Sequence, residues 1–291
     1  MQNRRDILKG AAGLLAGSSL LRGQISDHVA VVNAGGSNVV VFSAGSGVVL
    51  VDSGAPKSWD EVSAALKGAT VQTLFNTHYH LDQTANNEQI AAMGAKIIAH
   101  LRTKEWMSTE YWVEAQERYE KARPKAARPT DVFLTTGSLK AGGEQIDYGH
   151  LTLAHTSGDI YVYFRNANAI AVGDVASPVL DPSLDYFTGA WIGGRVDSMD
   201  TILKLTDNQT RIVPAVGPVM SRAEFKAERD MMEEIRARLF KLVREGDGPE
   251  DLVEAGVLKN LARQWKDPEN FMYAAAKGLW AHHDKLDYNV V

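Results

Sequence analysis

Asn76-Thr77-His78-Tyr79-His80-Leu81-Asp82-Gln83 puts two imidazoles and a carboxylate within five residues, directly after the apolar run Val71-Gln72-Thr73-Leu74-Phe75. That run is rich in branched and aromatic residues and reads as a buried strand, so the His-x-His-x-Asp segment is expected in the loop at its end. A period of two sends His78 and His80 the same way. Two neutral imidazoles held side by side suit a divalent transition metal, and Asp82 adds a hard oxygen ligand or a base.

Upstream of the motif, short β-branched runs at residues 30–33, 37–43 and 47–51 are split by Gly35-Gly36 and Gly45, the pattern of an antiparallel meander. Asp52-Ser53-Gly54 closes the meander, and residues 59–66 have the apolar spacing of a helix. Downstream, residues 86–93 read as a helix ended by Gly94, and 96–100 as a strand. Residues 103–123, with Trp106, Tyr111, Trp112 and Tyr119, read as one long helix. A second β-rich half starts near Val132, with strands expected at 151–155, 161–164, 169–172 and 211–214, and helices at 197–205, 221–245 and 249–265. Two β-rich halves, each followed by helices, imply a helix–sheet–sheet–helix sandwich.

Three further positions matter. His155 is expected to end one strand in Ala154-His155-Thr156-Ser157-Gly158-Asp159, Asp174 the next in Val172-Gly173-Asp174, and Val216 sits in Pro214-Ala215-Val216-Gly217-Pro218. Taken in order with Asp52-Ser53-Gly54 and the histidine motif, these landmarks resemble the metallo-β-lactamase-fold superfamily of metallohydrolases, from about Val31 to about Arg222. The resemblance implies an α/β, four-layer αββα sandwich, with residues 25–291 as a single domain carrying a C-terminal helical extension. It also implies that His78, His80 and His155 form one metal site. Asp82, the residue after it, a late-loop histidine and a bridging Asp174 would form a second. In that family the first motif is normally His-x-His-x-Asp-His, and the late loop normally carries a histidine between two glycines. Gln83 and Val216 stand at those two positions, so the first site is intact and the second has lost both imidazoles.

Three neutral histidines with an open fourth position make a Lewis acid that lowers the pKa of bound water toward ~7. Asp82, two residues beyond His80, is expected to steer that water as the catalytic carboxylate. A second ion would have only Asp82, Asp174 and the amide oxygen of Gln83, an oxygen set that binds zinc poorly. The expectation is therefore one divalent ion, zinc, with a second site weak or absent. Asp82 could instead cap a helix, and Asp174 could orient a histidine rather than ligate. Asp52 reads as structural, and His28, His100, His150, His282 and His283 read as ordinary histidines. Trp106, Tyr111 and Trp112 read as core packing more than substrate lining, while Tyr186, Phe187, Trp191 and Ile192 are the better choice for an apolar substrate wall.

The chain has 291 residues, 45% of them hydrophobic, no cysteine and a net charge of −5. No apolar run approaches the ~20 residues of a membrane span, and thiolates are neither ligand nor nucleophile. Arg4-Arg5 followed by Ile7-Leu8-Lys9 and a mildly apolar stretch to Leu21 resembles a bacterial twin-arginine signal, so residues 1–24 are expected to direct periplasmic or other export through that machinery. Without them the net charge moves from −5 to about −8, which argues against nucleic acid as a partner. The functional expectation is an exported metal-dependent hydrolase using metal-bound hydroxide on an ester, thioester, lactone or lactam carbonyl of a small molecule. The alternative is a non-catalytic metal- or ligand-binding protein of the same fold.

Overall fold

Strand β2 (Val29–Ala34) follows β1 (Leu21–Gln24) and sends Val29 and Val31 into one apolar cluster and Ala30, Val32 and Ala34 into another. This is the two-residue period of a strand covered on both faces. In β3 (Ser37–Ser43) the alternation repeats, with Val40 and Phe42 in the first cluster and Val39 and Val41 in the second. Gly35 and Gly36 join the two strands with φ of 66° and 100°, values that glycine adopts without steric cost. β4 (Val48–Val51) completes the meander; β5 (Val71–Phe75), β6 (Lys96–His100) and β9 (Asp131–Phe133) then add in parallel. The seven-stranded sheet has the order β1-β2-β3-β4-β5-β6-β9.

These elements come from a computed structural model, which describes residues 21–113 and 117–282. Most of the segment read as an export signal, residues 1–20, lies outside the described residues. Its last part, Leu21–Gln24, pairs with β2. No helix among the described residues is long and apolar enough to cross a membrane.

The second sheet has six strands in sequence order: β10 (Thr136–Ala141), β11 (Glu144–His150), β12 (Ile160–Phe164), β13 (Ala169–Gly173), β14 (Arg211–Pro214) and β15 (Met220–Ser221). The two sheets face each other across a core that includes Phe42, Phe75, Val162 and Phe164, with the Phe42 and Phe164 rings 5.5 Å apart. Helices α1 (Trp59–Leu66) and α3 (Asn87–Ala92) cover the outer face of the first sheet through Val62, Leu66 and Ile90. The outer face of the second is covered by α5 (Ile192–Leu205), α6 (Arg222–Glu245) and α8 (Pro268–Ala281). The result is the expected αββα sandwich. Ser221 and Glu224 form a capping box at the start of α6, and Gly246 ends it with φ 99°.

Three segments differ from the sequence reading. Residues 103–123 are not one helix: α4 (Leu101–Met107) stops, and β7 (Tyr111–Val113) pairs antiparallel with β8 (Arg118–Glu120). The Ser108 and Thr109 hydroxyls bond back to the carbonyls of Lys104 and Glu105, and the following Tyr-Trp-Val prefers an extended chain. Residues 151–155 are loop rather than strand, because β11 ends at His150 and Leu153 sits in the left-handed region at φ 54°. Past Gly246 the helix expected over 249–265 is only α7 (Pro249–Glu254), and Asp267 caps α8, a helix the sequence reading missed.

Candidate metal centre

The strand ends converge on one rim. The motif leaves β5 at Phe75, and α2 (Leu81–Thr84) follows it at once, so His78 and His80 lie between strand and helix. Asp52, at the end of β4 with φ 61°, accepts hydrogen bonds from the Thr77 amide at 2.8 Å and the Thr77 hydroxyl at 2.7 Å. The same hydroxyl lies 3.1 Å from Nδ1 of His78. Asp52 thus fixes the motif as the structural carboxylate the sequence reading expected. Gly173 ends β13 with φ 58°, and a Cβ there would meet the Thr77 hydroxyl oxygen at 2.8 Å. Glycine lets Asp174 come in beside His78.

His78, His80 and His155 each present a ring nitrogen to a common point, the three within 4.8 Å of one another. Nδ1 of His155 donates to the Ser183 carbonyl at 2.9 Å, leaving Nε2 for the cluster. The His155 amide is held by Asp159 at 2.6 Å. Nε2 of His78 is buried without a hydrogen-bond partner. A buried polar atom with nothing to bond is costly, and three converging imidazole nitrogens are a donor set that a divalent transition ion satisfies. The residues present therefore fit such an ion.

Electrostatics keeps two of the rings in the neutral, ligating form. Burial, then the neighbouring histidines, lowers the pKa of His78 well below its usual value, and burial takes His155 down to about 3. Burial also works against charge on His80, but Asp185 beside it, 3.5 Å from Nε2, reverses the balance and raises its pKa. Asp174 approaches Nε2 of His78 at 3.5 Å and of His155 at 3.7 Å. Its carboxyl is pushed up to about 7 by burial and by the charge of Asp82. Behind Asp174 the fully buried Arg195 donates to its carbonyl at 2.8 Å and to the Ser177 hydroxyl at 2.9 Å, and faces Glu228 at 3.4 Å.

Asp82 makes no hydrogen bond to the histidine cluster, although its charge reaches His80 and Asp174. It lies in the first turn of α2 and makes no cap. Its Oδ2 accepts a bond from the Gln83 carboxamide at 3.1 Å, and the buried Gln83 also lies 3.4 Å from the Ser37 hydroxyl. Val216 is half-buried in the late loop. That loop is tied to the first sheet by the Asn38 side chain, which donates to the carbonyls of Pro214 and Gly217 at 2.8 and 2.9 Å.

A family model for the metallo-beta-lactamase superfamily matches residues 32–238. The chain belongs to that superfamily. Among curated proteins none matches in sequence. Of the solved structures, a metallo-beta-lactamase from Pontibacter korlensis is 17% identical with a TM-score of 0.61, covering 72% of this chain and 97% of its own. The inverting sec-alkylsulfatase Pisa1 from a Pseudomonas species is 12% identical with a TM-score of 0.67, covering 95% of this chain but 52% of its own. The DIM-1 metallo-beta-lactamase is 15% identical at 0.58, covering 75% and 98%. At these identities the likeness is one of fold.

In this superfamily member a cleft of about 610 Å³ opens beside the histidine cluster, with His80 in its lining. Tyr111 and Trp112 line it, against the expectation of core packing, because they sit on the hairpin rather than in a helix. Trp106 stacks on Tyr79 at 5.6 Å. Tyr186 and Phe187 line the cleft as expected, whereas Trp191 and Ile192 belong to the core. Asp185 and the residues of α8 were missed. Their sequence carries no metal-ligand or nucleophile spacing that would mark them.

Proposed function

We propose that the protein is an exported hydrolase, dependent on one divalent ion, that opens an ester, thioester, lactone or lactam. The observation that carries the reading is the buried, unpartnered Nε2 of His78 aimed with His80 and His155 at a common point. Superfamily membership and neighbours named as lactamases and an alkylsulfatase support hydrolysis as the reaction class. A single ion is favoured because Gln83, in place of an imidazole, binds the Asp82 carboxylate through its own amide, and Val216 offers no donor.

His78, His80 and His155 would hold the ion, which when bound supplies Lewis acidity that polarises a carbonyl and lowers the pKa of water. Asp82, half-buried in the lining of the cleft, accepts the proton of the attacking water. The water oxygen bonds to the carbonyl carbon, the bond to the leaving group breaks, and the proton passes from Asp82 to the leaving atom. Asp185 and Ser183 orient His80 and His155 by occupying their outward nitrogens.

Metal analysis of the purified chain, with hydrolysis of an ester, thioester and lactam panel, tests the reading. About one ion per chain, lost with activity in His155→Ala, supports it. Bound metal without turnover of any substrate would leave the non-catalytic alternative. Export is tested separately: Arg4→Lys with Arg5→Lys should retain the protein in the cytoplasm, and unchanged periplasmic recovery overturns that part.

A further inference from the structure

The walls of the cleft come from segments outside both sheets of the sandwich. One is the hairpin β7–β8, carrying Trp112. The other is the loop through Asp185 and Phe187 together with α8, which lies beyond the family-matched residues 32–238. Trp112 and Phe187 remain 41% and 54% exposed although Trp112 meets Tyr119 and Phe187 stacks on Tyr186, so the walls keep aromatic surface open. Fold membership does not dictate what these added walls select.

Charge in the cleft is one-sided. Asp82, Asp185 and Asp267 line it, and their close hydrogen-bond donors are the Gln83 carboxamide, the Tyr79 hydroxyl and the Asn270 backbone amide, none of which brings a positive charge. His80, 3.5 Å from Asp185, offsets part of it. Arg118 also lines it but is paired with Glu120, and a divalent ion held by His80 and its two partners would offset charge only at the reacting end. The guanidinium groups of the region already face carboxylates: Arg118 and Arg123 donate to Glu120 at 2.5 and 2.6 Å, and Arg263 lies 3.9 Å from Asp181. An anionic group entering between these walls meets uncompensated carboxylates and loses hydration. An aromatic or branched apolar group gains contact with Trp112 and Phe187.

Building on the hydrolase reading above, we propose that the cleft takes an uncharged ester or lactone bearing a bulky apolar group. It turns away substrates that carry a carboxylate or sulfate on the group held between these walls. Rejection here is built from like charge as much as from missing contacts.

The test uses the zinc-loaded full chain with two 4-nitrophenyl esters of matched length, the uncharged valerate and the anionic hemiglutarate. The valerate should have at least about tenfold higher kcat/KM, the scale of one unfavourable charge contact. Trp112→Arg, a change on an exposed wall, should narrow that ratio about tenfold; equal or preferred turnover of the hemiglutarate by the parent overturns the proposal. Equilibrium dialysis of 3-phenylpropanol against 3-phenylpropanesulfonate gives a readout independent of turnover. Tighter retention of the alcohol, reversed or levelled in Trp112→Arg, supports the proposal even if no ester is cleaved, an outcome that would count against the hydrolase reading alone. Tighter retention of the sulfonate by the parent overturns it.

Discussion

Nδ1 of His80 lies 3.0 Å from Nε2 of His155, although 75 residues separate them in sequence. A contact this short places one proton between two nitrogens that an ion would need unprotonated. Both rings have an outward acceptor ready: Asp185 faces Nε2 of His80 at 3.5 Å, and the Ser183 carbonyl takes the Nδ1 proton of His155 at 2.9 Å. The ligating tautomers are therefore set from outside the cluster.

Removing that support weakens the site without touching a ligand. Asp185→Ala should lower metal affinity by roughly 10–100-fold, the usual cost of losing a carboxylate partner to a ligating histidine. Asp185→Asn, which still offers an oxygen to His80, should lose less. Competition with a chromogenic chelator measures both, and unchanged affinity in Asp185→Ala would show that Ser183 and packing suffice.

Asp82 should behave differently. It makes no hydrogen bond to the three histidines and is held by Gln83 at 3.1 Å. Asp82→Asn is expected to cut kcat on the order of 10²-fold or more, the scale of a lost general base, with metal content near that of the parent. Loss of the ion in that variant would make Asp82 a ligand instead.

What the sequence made legible follows from the range of each interaction. The His78-x-His80-x-Asp82 motif and the glycine-split strands are local patterns, and they placed the sandwich and the first half of the site. His155 is legible from the order of landmarks, whereas the strand expected to carry it is a loop, because the chain around Leu153 turns through a left-handed conformation that no periodicity announces. Tyr111 and Trp112 were misplaced because aromatic residues spaced through a polar segment suit a helix or a hairpin equally. Asp185 and α8 reach the cleft only through tertiary packing, and nothing near them in sequence marks that contact.

His100 and His150 stack face to face, ring centres 3.8 Å apart, where the sequence suggested two unrelated histidines. Nδ1 of His100 accepts the Arg102 amide at the start of α4 and Nε2 donates to the Leu134 carbonyl, so the ring is needed neutral. Burial, then His150, takes His100 from its usual 6.5 down to about 4, and His150 is lowered as well. Between those values the unfolded chain binds more protons, so stability is full above pH 6.5 and falls as pH drops toward 4. His100→Gln should flatten that fall by about 2 kcal/mol. Urea midpoints of parent and variant across the window measure the difference, in which the titration of the metal site cancels.

The Arg195–Glu228 pair sits in a buried network behind Asp174 that holds the loop carrying this carboxylate. Glu228 also accepts the Ser177 amide at 2.8 Å. Glu228→Ala leaves the fully buried guanidinium without its anion and should destabilise by about 3–5 kcal/mol. Glu228→Gln keeps an acceptor for Ser177 and should cost less. Chemical unfolding gives both values, and a loss under about 1 kcal/mol in the alanine variant would mean that water reaches Arg195 there.

Gln83 and Val216 stand where the superfamily resemblance places imidazoles, so restoring both should recruit a second ion. Gln83→His removes the amide that now satisfies Asp82 and frees that carboxylate. Val216→His adds a nitrogen from the late loop, which Asn38 anchors to the first sheet at 2.8 and 2.9 Å. Either change alone supplies one imidazole beside Asp82 and Asp174, whereas the two together supply the mixed nitrogen and oxygen set that zinc accepts. Their effects on binding should therefore be more than additive. The apo form should lose about 1–3 kcal/mol, because position 83 is fully buried and a ring there without a partner pays for its desolvation. Zinc titration of the parent, both single variants and the double variant decides it: a second binding event only in the double variant is the expected result, and its absence from all four shows loops rebuilt around Gln83.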